Sequence, residues 1–289
     1  MEHDLFRKLV LTPDEVRGRL FRDDALVPPT DRVIADIDGP IGWLTFDNPG
    51  RRNAISVEMW RALPDIFDRF ESDAGVRVIV LRGAGDKAFV SGLDMSRFED
   101  EFSSSQAARA LSEHSARANR RIQASRKPTI AMIHGFCIGA GVQIAASCDL
   151  RIAADNASFA IPAAKLGLGY PVLALKRLLD LLGPAHVKEL FFTAKSFTAA
   201  EAERMRLVNR VLPAFELEAE VRRTCQVIAA NAPLTIAAIK QTTDTLQALS
   251  AETDLAACDR LMQACFDSAD YVEGRRAFRE KRDPVFTGR

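Results

Sequence analysis

Apolar positions recur along this chain with two different periods, and the switches between them mark out its elements. Two short apolar runs, Val33 to Ile37 and Ile41 to Phe46, flank Asp38-Gly39-Pro40, a turn signal, and predict a β-hairpin. Beyond it Trp60, Leu63, Phe67 and Phe70 repeat every three or four residues, predicting an amphipathic helix capped by Ser56, with Pro64 as a kink rather than a stop. Val78 to Leu81 reads as a buried strand. From Ser105 to Ser125 the stripe Ala108, Leu111, Ser115, Ala118 and Ile122 predicts a second helix, closed by Pro128. A strand at Thr129 to Ile133, a glycine-opened helix at Ala140 to Ser147, and strands at Leu150 to Ala153 and Ser158 to Ile161 follow. Such alternation points to the α/β class.

After Phe192 the pattern is helical nearly to the end, with a capping box at Thr198-Ala199-Ala200-Glu201 and breaks at Ala232-Pro233 and Asp283-Pro284. Upstream, Thr12-Pro13-Asp14-Glu15 predicts a short helix through Leu20 within a solvated arm. The expected organisation is an N-terminal arm at 1–31, an α/β body at 32–192 and an α-helical C-terminal part, read as the oligomerisation part, at 193–289.

Composition narrows the function. With 289 residues and 47% apolar content, the chain can bury one large core and is not dominated by disorder. Lysine and arginine total 39, matching 39 acidic residues, so no global field favours nucleic acid or an anionic membrane. The arginine-bearing face Arg117, Arg120, Arg121 and Arg126 reads as solvated. Five cysteines with no C-x-x-C pair fit a reducing cytosol better than a disulfide framework. No stretch is apolar enough for a signal peptide or membrane span.

The candidate chemistry lies in two glycine-centred segments, Phe89 to Asp94 and Ile138 to Gln143. Each can present a bare backbone N–H to one ligand oxygen, and together they suggest an oxyanion hole for a carbonyl. Gly83-Ala84-Gly85-Asp86-Lys87-Ala88 matches a dinucleotide fingerprint only superficially, because Phe89 to Gly92 follows too soon for the required helix. Asp94 and Asp149 read as structural carboxylates capping backbone N–H groups, His134 as a satisfied interior histidine and His114 as an exposed one. Neither metal-ligand spacing nor a G-x-S-x-G elbow occurs.

Five ordered segments, Asn48 to Ile55, Lys87 to Asp94, Lys127 to Ala153, Leu207 to Val211 and Glu273 to Arg282, resemble the enoyl-CoA hydratase/isomerase, or crotonase, family from about Val33 to Arg289. The resemblance implies a spiral of ββα turns, trimers or paired trimers, and coenzyme A thioesters as substrates, with no further cofactor. It implies that the N–H groups of Leu93 and Ala140 hold the thioester oxygen. It also implies that Arg52, Ala54, Ile55 and Ser91 receive the nucleotide and pantetheine, and that Phe278 and Lys281 complete the cleft. Where family hydratases carry two glutamates, this chain has Gln143 and Ala163. An efficient standard hydratase is therefore not expected.

Tyr170 is a candidate acid, and Phe159 to Tyr170 is similar to the matching segment of methylmalonyl-CoA decarboxylase. That enzyme's active-site histidine, however, corresponds to Leu93. Three readings stay open: enolate chemistry with an atypical donor (Tyr170, His114 or Glu113), acyl-CoA decarboxylation, and acyl-CoA binding without turnover. Tyr170 could equally serve only as structure in a Gly-Tyr-Pro turn.

Overall fold

A computed structural model describes residues 32–94, 105–248, 266–282 and 284. The helix expected at 12–20 lies outside the described residues. The predicted hairpin forms from β1 (Val33–Asp38) and β2 (Ile41–Phe46), antiparallel, with Gly39 at φ +57° in the turn. Every residue of β2 is buried, because β3 (Val78–Gly83) pairs in parallel on its other side.

Helix α1 (Val57–Ser72) starts where Ser56 Oγ accepts the Met59 N–H at 3.3 Å, and it runs through Pro64 without stopping. It buries Met59, Trp60, Leu63, Ile66, Phe67 and Phe70. Helix α2 (Ser105–Gln123) packs against it, and Arg121 reaches Asp68 at 2.7 Å.

The remaining strands come in pairs, and each pair splits between two sheets. β3 precedes β4 (Ala88–Val90), β5 (Thr129–Ile133) precedes β6 (Phe136–Ile138), and β7 (Leu150–Ala154) precedes β8 (Ser158–Ala160). The first member of each pair enters a six-stranded sheet ordered β1-β2-β3-β5-β7-β10, with β10 at Arg210–Leu212, and the second enters a four-stranded sheet ordered β4-β6-β8-β9, with β9 at Phe197–Thr198. One strand to each layer per turn is the spiral that the resemblance implies. The short helix α3 (Ala140–Ser147) follows β6.

Strand alternation sorts the core. On β3, Ile79 and Leu81 face the main core with α1, while Val78 and Val80 face a second cluster closed by Leu217, Val221 and Cys225 of α6 (Leu217–Ala230). The long α4 (Val172–Thr193) is bent at Gly183, φ +72°, ahead of Pro184. The capping box at Thr198 forms, starting α5 (Ala199–Arg204). Two strands correct the all-helical reading after Phe192: β9 (Phe197–Thr198) and β10 (Arg210–Leu212) each add an edge to one sheet. Helix α7 (Pro233–Ala248) has no buried residue among its described side chains, and α8 (Ala269–Glu280) ends the described chain.

Backbone contacts too close for a side chain lock the layers together. A Cβ on Gly141 would lie 2.2 Å from the Val90 carbonyl oxygen, so glycine there seats α3 directly on β4. A Cβ on Gly167 would meet Asp270 at 2.7 Å and one on Gly274 would meet Leu166 at 2.5 Å, so α8 docks main chain to main chain on the 3₁₀ turn Pro162–Leu166. Gly141→Ala is expected to cost roughly 1–3 kcal/mol through overpacking, lowering the melting temperature by several degrees in a calorimetric scan. An unchanged melt would mean that β4 and α3 can separate freely.

Candidate active site

A cavity of about 270 Å³ opens between one end of the four-stranded sheet, α2 and the C-terminal segment. Ser91 to Leu93 come from the end of β4, Ile138 to Ala140 from the β6–α3 junction, and Gln143 from the first turn of α3. Leu111, Ser112 and Ser115 face it from α2, Ala163, Leu166, Leu168, Gly169 and Tyr170 from the 3₁₀ turn and its exit, and Phe266 and Phe278 from the C-terminal segment.

The two glycine segments meet on this wall. Ile55 forms a parallel bridge with Leu93, its N–H donating to the Gly92 carbonyl at 2.9 Å and its carbonyl accepting from Asp94 N–H at 2.9 Å. In such a bridge Leu93 points its own N–H to the opposite side. Gly92, at φ +114°, makes the chain's turn into this geometry, a backbone conformation that residues with a side chain rarely adopt. Gly139, at φ +53°, starts α3 so that Ala140 is its first residue, where an amide has no intrahelical acceptor. Neither the Leu93 nor the Ala140 N–H meets an acceptor among the described residues. The helix start adds a partial positive charge at Ala140.

No described lining residue carries a carboxylate, imidazole, ammonium or guanidinium group. Gln143 and Ala163 both face the cavity, and Tyr170 contributes part of its ring. The Tyr170 hydroxyl is shielded and has no hydrogen-bond partner among the described residues. Burial pushes its pKa well up, while the neighbouring Gln143 amide pulls the other way from a position short of hydrogen-bonding geometry. The phenol is therefore a neutral donor throughout the neutral range.

Of the expected site residues, Ser91, Leu93, Ala140, Gln143, Tyr170 and Phe278 line the cavity. Arg52, Ala54, Ile55 and Lys281 do not. Arg52 is exposed at φ +53°, with its guanidinium 4.7 Å from the centre of the Phe136 ring, and its carbonyl accepts Ser91 N–H at 3.2 Å. Ala54 and Ile55 are buried behind the wall, and Lys281 caps α8 on the outside.

His114 and Glu113 also stay off the lining. His114 Nε2 accepts from Arg61 Nε at 3.2 Å, and burial followed by the Arg61 charge lowers its pKa. Asp149 accepts the Thr129 N–H at 2.8 Å, as a structural carboxylate should, and also binds Lys240 at 2.7 Å. Asp94 holds Arg51 at 3.1 Å and Arg32 at 3.5 Å, so its structural role is an ion-pair node. His134 is not fully satisfied, since its Nε2 has no partner among the described residues. Burial lowers its pKa, which keeps it neutral. Cys148 and Cys225 are buried thiols pushed up to about 12, unsuited to nucleophilic work.

Sequence reasoning missed Trp60, Ser112, Ser115 and Phe266 on the lining. Trp60 belongs to the core stripe of α1 by its spacing, and only the packing of α2 beside it reveals that its ring also floors a cavity.

Comparison with known proteins identifies the family. The enoyl-CoA hydratase/isomerase family profile matches residues 36–289. A short-chain-enoyl-CoA hydratase of Clostridium acetobutylicum is 32% identical over 250 residues, 86% of this chain and 95% of the relative. A carnitinyl-CoA dehydratase of Salmonella arizonae is 35% identical over 256 residues, 87% of this chain and 96% of the relative. The solved methylmalonyl-CoA decarboxylase in complex with 2-nitronate-propionyl-CoA superposes with a TM-score of 0.82 at 29% identity, over 90% of this chain and 99% of that one. Two-layer spiral, glycine-set wall and profile match over nearly the whole described body lead to one assignment: the chain belongs to the enoyl-CoA hydratase/isomerase family, whose members act on acyl-CoA thioesters.

Proposed function

We propose that this enzyme binds an acyl-CoA with its thioester oxygen against the N–H groups of Leu93 and Ala140 and stabilises the enolate that forms there. The observation that carries the reading is the pair of amides on one apolar wall that meet no acceptor among the described residues. Donors fixed in the backbone need little reorganisation when charge develops, and one such donor is commonly worth ~3–4 kcal/mol. Tyr170 is the proposed acid: its phenol protonates the enolate carbon, and Gln143 lines the cavity beside it. Segments around Arg52, Ala54, Ile55, Ser91, Phe278 and Lys281 are the proposed approach for the rest of coenzyme A. A trimeric or paired-trimeric assembly is part of the same proposal, supported by exposed Leu234 and Ile239 on α7. So is a cytoplasmic setting; no described helix is long and apolar enough to cross a membrane.

The absence of a described carboxylate on the lining favours a reaction that makes its enolate without a base. Loss of carbon dioxide does so, and the TM-score of 0.82 to a decarboxylase supports that second reading. Purified protein incubated separately with crotonyl-CoA and methylmalonyl-CoA, followed by mass, separates the outcomes. Propionyl-CoA would favour decarboxylation, 3-hydroxybutyryl-CoA would mean hydration, and saturable binding with neither product would mean a binding protein.

If only the acid and base of a hydratase are missing, restoring both should restore that chemistry. The double variant Gln143→Glu with Ala163→Glu is expected to raise crotonyl-CoA hydration about tenfold or more, since each positioned group is typically worth 10²–10⁴-fold. No gain in a spectrophotometric assay would place the obstacle in the pocket shape instead.

A further inference from the structure

A second compartment of about 30 Å³ shares Ser115, Gln143 and Pro171 with the acyl cavity. That is room for about one or two water molecules. Its wall is apolar on the side of Ala116, Ala146, Leu173 and Ala174, and carries the polar side chains of Asn119, Arg120, Gln123, Ser147 and Arg177 on the rest. The hydrogen bonds among them are oversubscribed. Ser147 Oγ lies 2.9 Å from the Gln143 carbonyl oxygen and 3.2 Å from Asn119 Oδ1, and it accepts from Gln123 Nε2 at 3.2 Å. A hydroxyl has one proton to give. Whenever it serves the Gln143 carbonyl, the buried Asn119 oxygen needs another donor, which a water molecule supplies.

Two arginines flank that water. Arg120 is exposed on the compartment's wall, and Arg177 is anchored by its Nε to the Ala146 carbonyl at 3.1 Å and by its Nη1 to Gln247 Oε1 at 3.0 Å. Arg177 also pairs with Asp244 at 3.9 Å, so its charge is partly compensated, and the two guanidinium groups chiefly offer N–H donors to a water oxygen on this wall.

We propose that this compartment is a water site through which solvent supplies protons to the acyl cavity; the inference rests on the enolate chemistry proposed above. After Tyr170 gives its proton to the enolate carbon, a water O–H bond breaks and its proton passes alongside Gln143 to the phenolate. Hydroxide remains between the arginines and is neutralised by bulk solvent. The balance is enolate plus water giving acyl-CoA plus hydroxide. Asn119 and Ser147 are positioning residues in this scheme, touching the water rather than the substrate.

Propionyl-CoA in D₂O is the probe, because microscopic reversibility makes exchange of its α-hydrogens use the same route. Asn119→Leu, similar in volume but unable to bind water, is expected to slow deuterium uptake, read by mass, about tenfold or more while the Kd for propionyl-CoA stays unchanged. A crystal structure of the wild-type protein should show an ordered water within hydrogen-bond reach of Asn119 and Ser147, a result that does not depend on the variant folding. Equal uptake by wild type and Asn119→Leu, or a dry compartment, overturns the water site and leaves the enolate reading standing. No uptake by a wild type that forms propionyl-CoA from methylmalonyl-CoA overturns the water route alone; no uptake together with no product from either acyl-CoA overturns the enolate reading, and this inference falls with it.

Discussion

Ala140→Pro is expected to lose roughly 10²–10³-fold in kcat while the protein stays folded, the range seen when one backbone or amide donor is taken from an oxyanion hole. The substitution suits the position. Ala140 is the first residue of α3, where proline's fixed φ is already helical and its missing N–H breaks no helical hydrogen bond. Gly139 before it has no Cβ to clash with the ring. What the substitution removes is the amide hydrogen that meets no acceptor among the described residues, and the ring's Cδ fills its place. Ala140→Gly is the control: it keeps the N–H and should keep most of the activity. The measurement is kcat at saturating acyl-CoA beside a thermal melt. Retained turnover in a folded Ala140→Pro protein would remove this amide from the mechanism.

Tyr170→Phe is expected to lose 10²–10⁴-fold, as removal of a positioned acid does, without loss of stability. The hydroxyl has no partner among the described residues, so its deletion breaks no hydrogen bond and leaves no orphaned group behind. Stability therefore falls out of the comparison, and a drop in turnover reports chemistry. The pH dependence follows from the same burial. Because Tyr170 titrates above its ordinary value, it keeps its proton on the acidic side of that raised pKa, which spans the neutral range. The kcat/KM profile should be flat over about pH 6–9. A limb between about pH 4 and 7 would reveal a carboxylate or histidine at work and displace Tyr170 from the role.

Much of this arrangement was legible in the sequence where the cause is local. Gly92 and Gly139 both adopt positive φ, and glycine is the residue that marks such turns. The Thr198 box and the Gly39-Pro40 turn carry their own chemistry in adjacent residues, and both form as read. Other features depend on partners distant in the chain. Helix α4 continues beyond its bend at Gly183-Pro184 because Leu178, Leu182, Val187 and Leu190 on both sides share one core. The strands β9 and β10 are too short to show a period, and they exist because an open sheet edge lies beside them. In the site, the donors set by glycine were readable. Trp60 was hidden within a core stripe, Phe266 carries no local signal, and Arg52 is turned by its left-handed backbone onto Phe136.

The close seat of Gly274 on Leu166 has a consequence for biosynthesis. Phe266 and Phe278, which line the acyl cavity, lie in a stretch made after every described strand of the two sheets. A ribosome must therefore release that stretch as well before the pocket has this wall. A premature stop codon shortly before that stretch would leave most of the spiral able to form around an unfinished catalyst.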